Sequence, residues 1–195
     1  MSWWKGTPVG EALNAHLRAG KPLGGTSVGI AVMGQYTFAA LEGSVTSETA
    51  LQDPANRRIT IGRDFIAASP LAGVITDTHF TTRQRLGRLV TFLGRIASDE
   101  KPKRLAGLGV DEATAVCVEP DGSAKLFTEK SGNAWLVVPT QAPERIETGR
   151  PLTFRHVKVI GIGPESSLNL TTLEVKKPVS TRFVTAADGQ LRDEP

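Results

Sequence analysis

The sequence predicts an α/β protein with a β-rich C-terminal extension, divided near residue 118. Three observations carry this expectation. A continuous apolar run over residues 71–77, the pattern of a buried strand, leads into a helix-period segment over 82–97. Two further strand-like runs, 105–110 and 113–118, flank the pair Asp111-Glu112. From Glu119 onward, turns and short β segments replace the alternation of helix and strand.

Taken in order, Thr7-Pro8 reads as an N-cap and first helical residue. Val9, Leu13 and Leu17 then recur at helical spacing until Gly20 ends the helix. Residues 21–25 read as a short strand entering Thr26-Ser27-Val28-Gly29, and Ile30-Ala31-Val32-Met33 as the start of a buried helix. Residues 42–63 are polar and turn-rich, the composition of a long loop. In the helix over 82–97, Leu86, Leu89, Val90, Leu93 and Ile96 form the apolar face. Pro120-Asp121-Gly122 is a turn, β segments are expected at 124–127, 135–138 and 152–159, and residues 185–195 read as a frayed tail.

Composition limits the function classes. The chain has 195 residues, 39% hydrophobic and 22% charged, enough for a packed core. A net charge of +3, with basic residues scattered and few aromatics, argues against a nucleic-acid protein. No apolar run reaches the roughly 18 residues of a membrane span. Met1-Ser2-Trp3-Trp4-Lys5-Gly6 lacks the apolar stretch of a leader, so a cytoplasmic location is expected. Cys117 is the lone cysteine. It rules out an internal disulfide or a cysteine-based zinc site and reads as a small buried hydrophobe. No metal or organic cofactor is implied.

Gly25-Thr26-Ser27-Val28-Gly29 has the G-x-S-x-G pattern of a nucleophile elbow. A sharp strand-to-helix turn lifts the serine Oγ clear of the backbone and aims the next amide, that of Val28, at a developing oxyanion. An ordinary glycine turn is the competing reading. Of the three histidines, His16 falls on the polar side of the first helix and His156 in a β segment. His79 directly follows the buried strand, at the carboxyl end where α/β sites gather, and is the candidate base. Asp111 or Glu112 would orient the imidazole; adjacent residues point to opposite faces, so one of the two is expected there. Arg83, Arg85 and Arg88 open the following helix, where guanidinium forks suit carboxylates, although a solvated charged face is the plainer reading.

Three ordered blocks, Gly24-Gly25-Thr26-Ser27-Val28-Gly29, then Asp77-Thr78-His79-Phe80 with Arg83, Arg85, Gly87, Arg88 and Leu89, then Gly107-Leu108-Gly109-Val110-Asp111-Glu112 with Thr114 and Ala115, resemble the cyanophycinases of the peptidase S51 group. The resemblance runs from about Trp3 to Val118 and more loosely through the β-rich tail. It implies a glutamine-amidotransferase-like (flavodoxin-like) parallel sheet with flanking helices, with residues 1–118 as catalytic region and 119–195 as extension. It implies a triad of Ser27 as nucleophile, His79 as base and Glu112 as orienting acid, with Asp77, Thr78, Arg83, Arg85 and Arg88 around the substrate's aspartyl part. The implied partner is an acidic peptide or cyanophycin, a poly-aspartate whose side chains carry arginine, cleaved to β-aspartyl-arginine; a homodimer is compatible with it.

The sequence departs from the group in three ways. Val28 stands in place of alanine, a bulkier group expected to tighten the pocket. Thr78 stands in place of glutamine. The elbow falls at residue 27, where the group has it well inside the chain, so the resemblance implies that the N-terminal strands and a loop giving a second oxyanion N–H are lacking. A serine peptidase is the leading expectation. The alternatives are a catalytically silent relative acting only in binding or association, and a basic binding protein.

Overall fold

The computed structural model describes residues 4–195. Met1, Ser2 and Trp3, on which the absence of a leader and the start of the family resemblance were read, lie outside the described residues.

Helix α1 (Pro8–Arg18) begins as its sequence dictates, with Pro8 at the first helical position and extended Thr7 before it. It lies on the surface, Val9 being exposed and Leu13 and Leu17 half-buried. Residues 21–26 form no strand, which corrects the expectation for the segment before Ser27. The segment Lys21-Pro22-Leu23-Gly24-Gly25 has one apolar side chain, too little to hold an edge in a sheet. Helix α2 (Val28–Ala31) is a single half-exposed turn, not the start of a buried helix.

The segment read as a loop contains structure. Strand β1 (Tyr36–Phe38) is followed by helix α3 (Ser47–Gln52), capped by the Thr46 side chain, and by strand β2 (Ile61–Arg63), which pairs antiparallel with β1. Strand β3 (Val74–Thr78) is buried at every position and leads to helix α4 (Leu86–Glu100). Helix α4 starts later than its periodicity predicts. His79 and Gln84 both have positive φ, so residues 79–85 form successive turns before the helix can propagate.

Helix α4 is the crossover to strand β4 (Ala106–Val110), which runs parallel to β3, as β1 does on its other side. All later connections in this sheet are antiparallel. After the hairpin of β5 (Thr114–Val118) and β6 (Ser123–Thr128), the chain returns as β7 (Ala134–Pro139), β8 (Phe154–Ile162), the pair β9 (Ser167–Asn169) and β10 (Glu174–Lys176), and finally β11 (Ser180–Ala187) and β12 (Gln190–Asp193). The main sheet has eight strands in the order β12-β11-β8-β7-β4-β3-β1-β2. The α/β class stands, but the sheet is mixed: it is parallel only where a helix supplies the crossover. The β-rich extension continues this sheet with β7, β8, β11 and β12, while its β6, β9 and β10 join β5 in a second sheet. Its expected frayed tail is the β11–β12 hairpin, with Val184 and Ala186 buried.

One face of the sheet packs against α4 through Leu89, Phe92, Leu93, Val137 and Val159. The other packs against a four-stranded sheet ordered β10-β9-β6-β5 and against α2, through Val74, Leu108, Leu136, Leu126 and Leu168. Gly109 of β4 lies where an added Cβ would meet the Phe80 ring, so a larger residue would push the His79 turn off the strand ends. Cys117 is exposed, not buried: it sits on the outer side of β5, an edge strand of the smaller sheet. No described helix is long and apolar enough to cross a membrane.

Candidate active site

Strands β3 and β4 are parallel neighbours, so the residues after them, His79 and Glu112, emerge at the same end of the sheet. Helix α2 lies against β3, where the Thr76 hydroxyl donates to the Ile30 carbonyl at 2.6 Å and brings the Ser27 turn over that end. The three residues line up. Ser27 Oγ is 3.2 Å from His79 Nε2, and His79 Nδ1 is 2.6 Å from Glu112 Oε1. A carboxylate only accepts, so Nδ1 carries the proton and Nε2 is left to accept from the serine hydroxyl. The imidazole is 24% exposed and the Glu112 side chain 48%, so solvent and a ligand can reach the line.

The backbone here is strained. Ser27 has φ +52° and ψ −114°, conformational space that belongs to glycine, and His79 and Ala113 have φ +48° and +52°. A positive φ alone recurs at turn residues elsewhere, among them Ala40, Asp64, Lys101 and Lys177; Ser27 differs in its ψ of −114°. At the elbow an added Cβ on Gly25 would stand 2.6 Å from the Gly29 carbonyl carbon, so only glycine allows the turn to close. The Val28 amide has no backbone partner among the described residues and is free to donate. Its side chain, expected to tighten the pocket, is 73% exposed and stands in solvent instead.

Asp111 and Glu112 separate as their adjacency requires. Glu112 meets His79. Asp111 accepts from the Thr81 amide at 3.0 Å on one oxygen, and from the Asn133 amide at 3.0 Å and Trp135 Nε1 at 3.3 Å on the other. It ties the His79 turn to the end of β7, a role the sequence did not suggest because Asn133 and Trp135 arrive by strand pairing.

The remaining sequence candidates part company. Asp77 is buried and faces α4. Its carboxylate takes Arg88 through Nε at 2.8 Å and Nη2 at 2.5 Å, Arg85 Nη1 at 3.2 Å and the Thr78 amide at 2.8 Å. Arg88 also reaches the Val45 carbonyl at 3.3 Å and lies against the Phe38 and Phe92 rings. Buried Thr78 offers its carbonyl to Arg85 at 2.6 Å. Burial lowers the pKa of the Arg85 guanidinium, opposed by Asp77 and reinforced by Arg88 and Arg83. Arg83 is exposed on the His79 turn, its amide on the His79 carbonyl at 3.1 Å, and its side chain has no ion pair among the described residues. The structure therefore places Ser27, His79 and Glu112 together, closes Asp77, Arg85 and Arg88 on one another, and leaves Arg83 in solvent.

The other histidines stand apart. Exposed His16 contacts the Pro22 carbonyl at 3.0 Å, and His156 pairs with Glu194 at 2.5 Å. Among the described residues no cluster of three or more His, Cys, Asp or Glu side chains is arranged to hold a metal ion.

Over 158 residues, 78% of this chain and 47% of the other protein, the sequence is 32% identical to a cyanophycinase of Trichormus variabilis. The chain is related to the cyanophycinases. A cyanophycinase of Synechococcus elongatus is 27% identical over 175 residues, 87% of this chain and 49% of that protein. One from Geminocystis herdmanii is 33% identical over 116 residues, covering 59% and 37%. The chain spans about half the length of the first cyanophycinases it matches. No family model matches it.

Proposed function

We propose that the chain is a serine-type peptidase acting on aspartyl-rich peptides, with cyanophycin as substrate and β-aspartyl-arginine as product. The observation that carries this reading is the line Ser27–His79–Glu112, at 3.2 and 2.6 Å, on a strained elbow. Ser27 Oγ attacks the scissile carbonyl carbon as His79 Nε2 takes its proton. The oxyanion accepts from the Val28 N–H, while Glu112 holds the imidazole and stabilises its charged form. Collapse breaks the C–N bond, His79 returns the proton to the leaving amine, and water then releases the acyl group by the same route. Arg83, solvated on the His79 turn, has no ion pair among the described residues and is free to meet a substrate carboxylate; Asp77, Thr78 and Arg88 support the floor beneath it, and Arg85 shares only Nη1 with them.

A second reading, a relative that keeps this geometry but does not turn over, is favoured by the elbow's exposure and the lack of a strand before it. Hydrolysis of cyanophycin or β-aspartyl peptides separates the two. Ser27→Ala should abolish activity with an unchanged circular dichroism spectrum, and His79→Ala should do nearly as much damage, since such residues act as a unit. Full activity in Ser27→Ala contradicts the peptidase reading, and no activity in the parent chain favours the silent one.

A further inference from the structure

The turn that carries His79 also forms one side of a second cleft, of about 260 Å³, beginning at the next residue, Phe80. Phe80, Leu86 and Trp135 make its apolar walls, and Thr81 joins it to the Asp111 clamp. Two guanidiniums line it from elements far apart in sequence: Arg85 at the N-cap of α4 and Arg182 on β11. No carboxylate lines it among the described residues.

Neither arginine is fully engaged. Arg85 commits Nη1 to Asp77 and the Thr78 carbonyl, and Nε and Nη2 have no partner among the described residues. Arg182 pairs through Nη1 with Asp193 at 3.0 Å, but the two side chains are 43% and 60% exposed, so the pair is weak and exchangeable. Two partly satisfied guanidiniums over apolar walls recognise an anion with a planar, two-oxygen face. We propose that this cleft is a carboxylate subsite that holds a further residue of an acidic peptide chain while Ser27 attacks another part of it. This rests on the peptidase reading, and it adds Arg182 and Trp135, from the β-rich half, to substrate recognition.

The test is binding, not turnover. In the Ser27→Ala background, a fluorophore-labelled oligo-aspartate is titrated and followed by anisotropy. Adding Arg182→Ala should raise its Kd about tenfold, with circular dichroism unchanged, and Arg182→Lys should recover only part of that loss. Asp193→Asn, which frees Arg182, should tighten binding severalfold. An oligo-asparagine of the same length should bind weakly to every variant. Equal Kd values with and without Arg182, or equal binding of the aspartate and asparagine chains, overturn the subsite. Complete displacement by inorganic phosphate, with no dependence on peptide length, assigns the cleft to a free anion and overturns it too. Because no step requires hydrolysis, failure here is distinct from failure of the Ser27 chemistry.

Discussion

Two groups of ionisable side chains leave the end of β3 within two residues of each other. At Asp77 the carboxylate is 4% exposed and every contact is a strong one: two arginines and an amide fill its oxygens. At His79 the imidazole is 24% exposed, has a single partner on each nitrogen, and sits on a backbone with φ +48°. The Asp77 carboxylate has no oxygen left to offer a ligand, and through Arg88 it holds α4 to the sheet. The second group is partly exposed and singly bonded, so its side chains are free to change partners. Ionisable groups at one strand end thus divide, by burial and satisfaction, into a closed support and an open cluster.

The largest effect should come from breaking the sealed group. Asp77→Ala leaves the Arg88 guanidinium buried without its counter-charge, and denaturant unfolding should show a loss of about 3–5 kcal/mol. The double variant Asp77→Leu/Arg88→Met should regain much of it, since apolar side chains can replace a buried pair at little cost. A loss below about 1 kcal/mol for Asp77→Ala would mean that the Asp77 group is no more structural than the His79 group.

A smaller effect of opposite sign is expected at the open group. Ser27→Gly relieves a backbone strain of about 1–3 kcal/mol and loses part of that to unfolded-state entropy, so stability should rise by about 1 kcal/mol as hydrolysis disappears. Destabilisation by Ser27→Gly would mean that the elbow supports the fold instead of loading the fold with strain.

The smallest effect lies at a third cluster. Buried Tyr36 donates to Glu100 at 3.2 Å, while Arg63 reaches the same oxygen at 2.7 Å. Burial first, then Glu100, push the Tyr36 pKa up from 10.0 to about 12. The folded state therefore favours the neutral phenol. That stabilisation is complete below pH 10 and is lost as pH rises towards about 12. Thermal melts across this range should show a steeper alkaline decline in the parent than in Tyr36→Phe; identical slopes would contradict the shift.

The sequence exposed the site better than the fold around it. Ser27 and His79 were legible as candidates because each role needs a particular residue type at a strand end or turn, whereas the residues alone left Asp111 and Glu112 open and only the family resemblance singled out Glu112. Helix α4 was legible because its apolar face repeats over four turns. Strands β1 and β2, at three residues each, are too short to show a period, and Ala186 and Val184 hide their burial among the polar residues of β11. Cys117 misled because an apolar edge strand looks like an interior one until its neighbours are known. Arg88 read as a solvated charge, or a substrate ligand, because nothing local shows that Asp77 faces it. Trp135 and Arg182 gave no signal at all, since only the pairing of β7, β8 and β11 carries them to α4.

Whether Ser27 is an activated nucleophile is tested most directly by a fluorophosphonate probe. Labelling of the parent chain, mapped by mass spectrometry, should fall on Ser27 alone. It should be lost in Ser27→Ala and fall by orders of magnitude in His79→Ala, with a lesser decline in Glu112→Gln, where the orienting charge is gone but the shape remains. Absence of labelling, labelling spread over other serines, or undiminished labelling in His79→Ala would contradict the account.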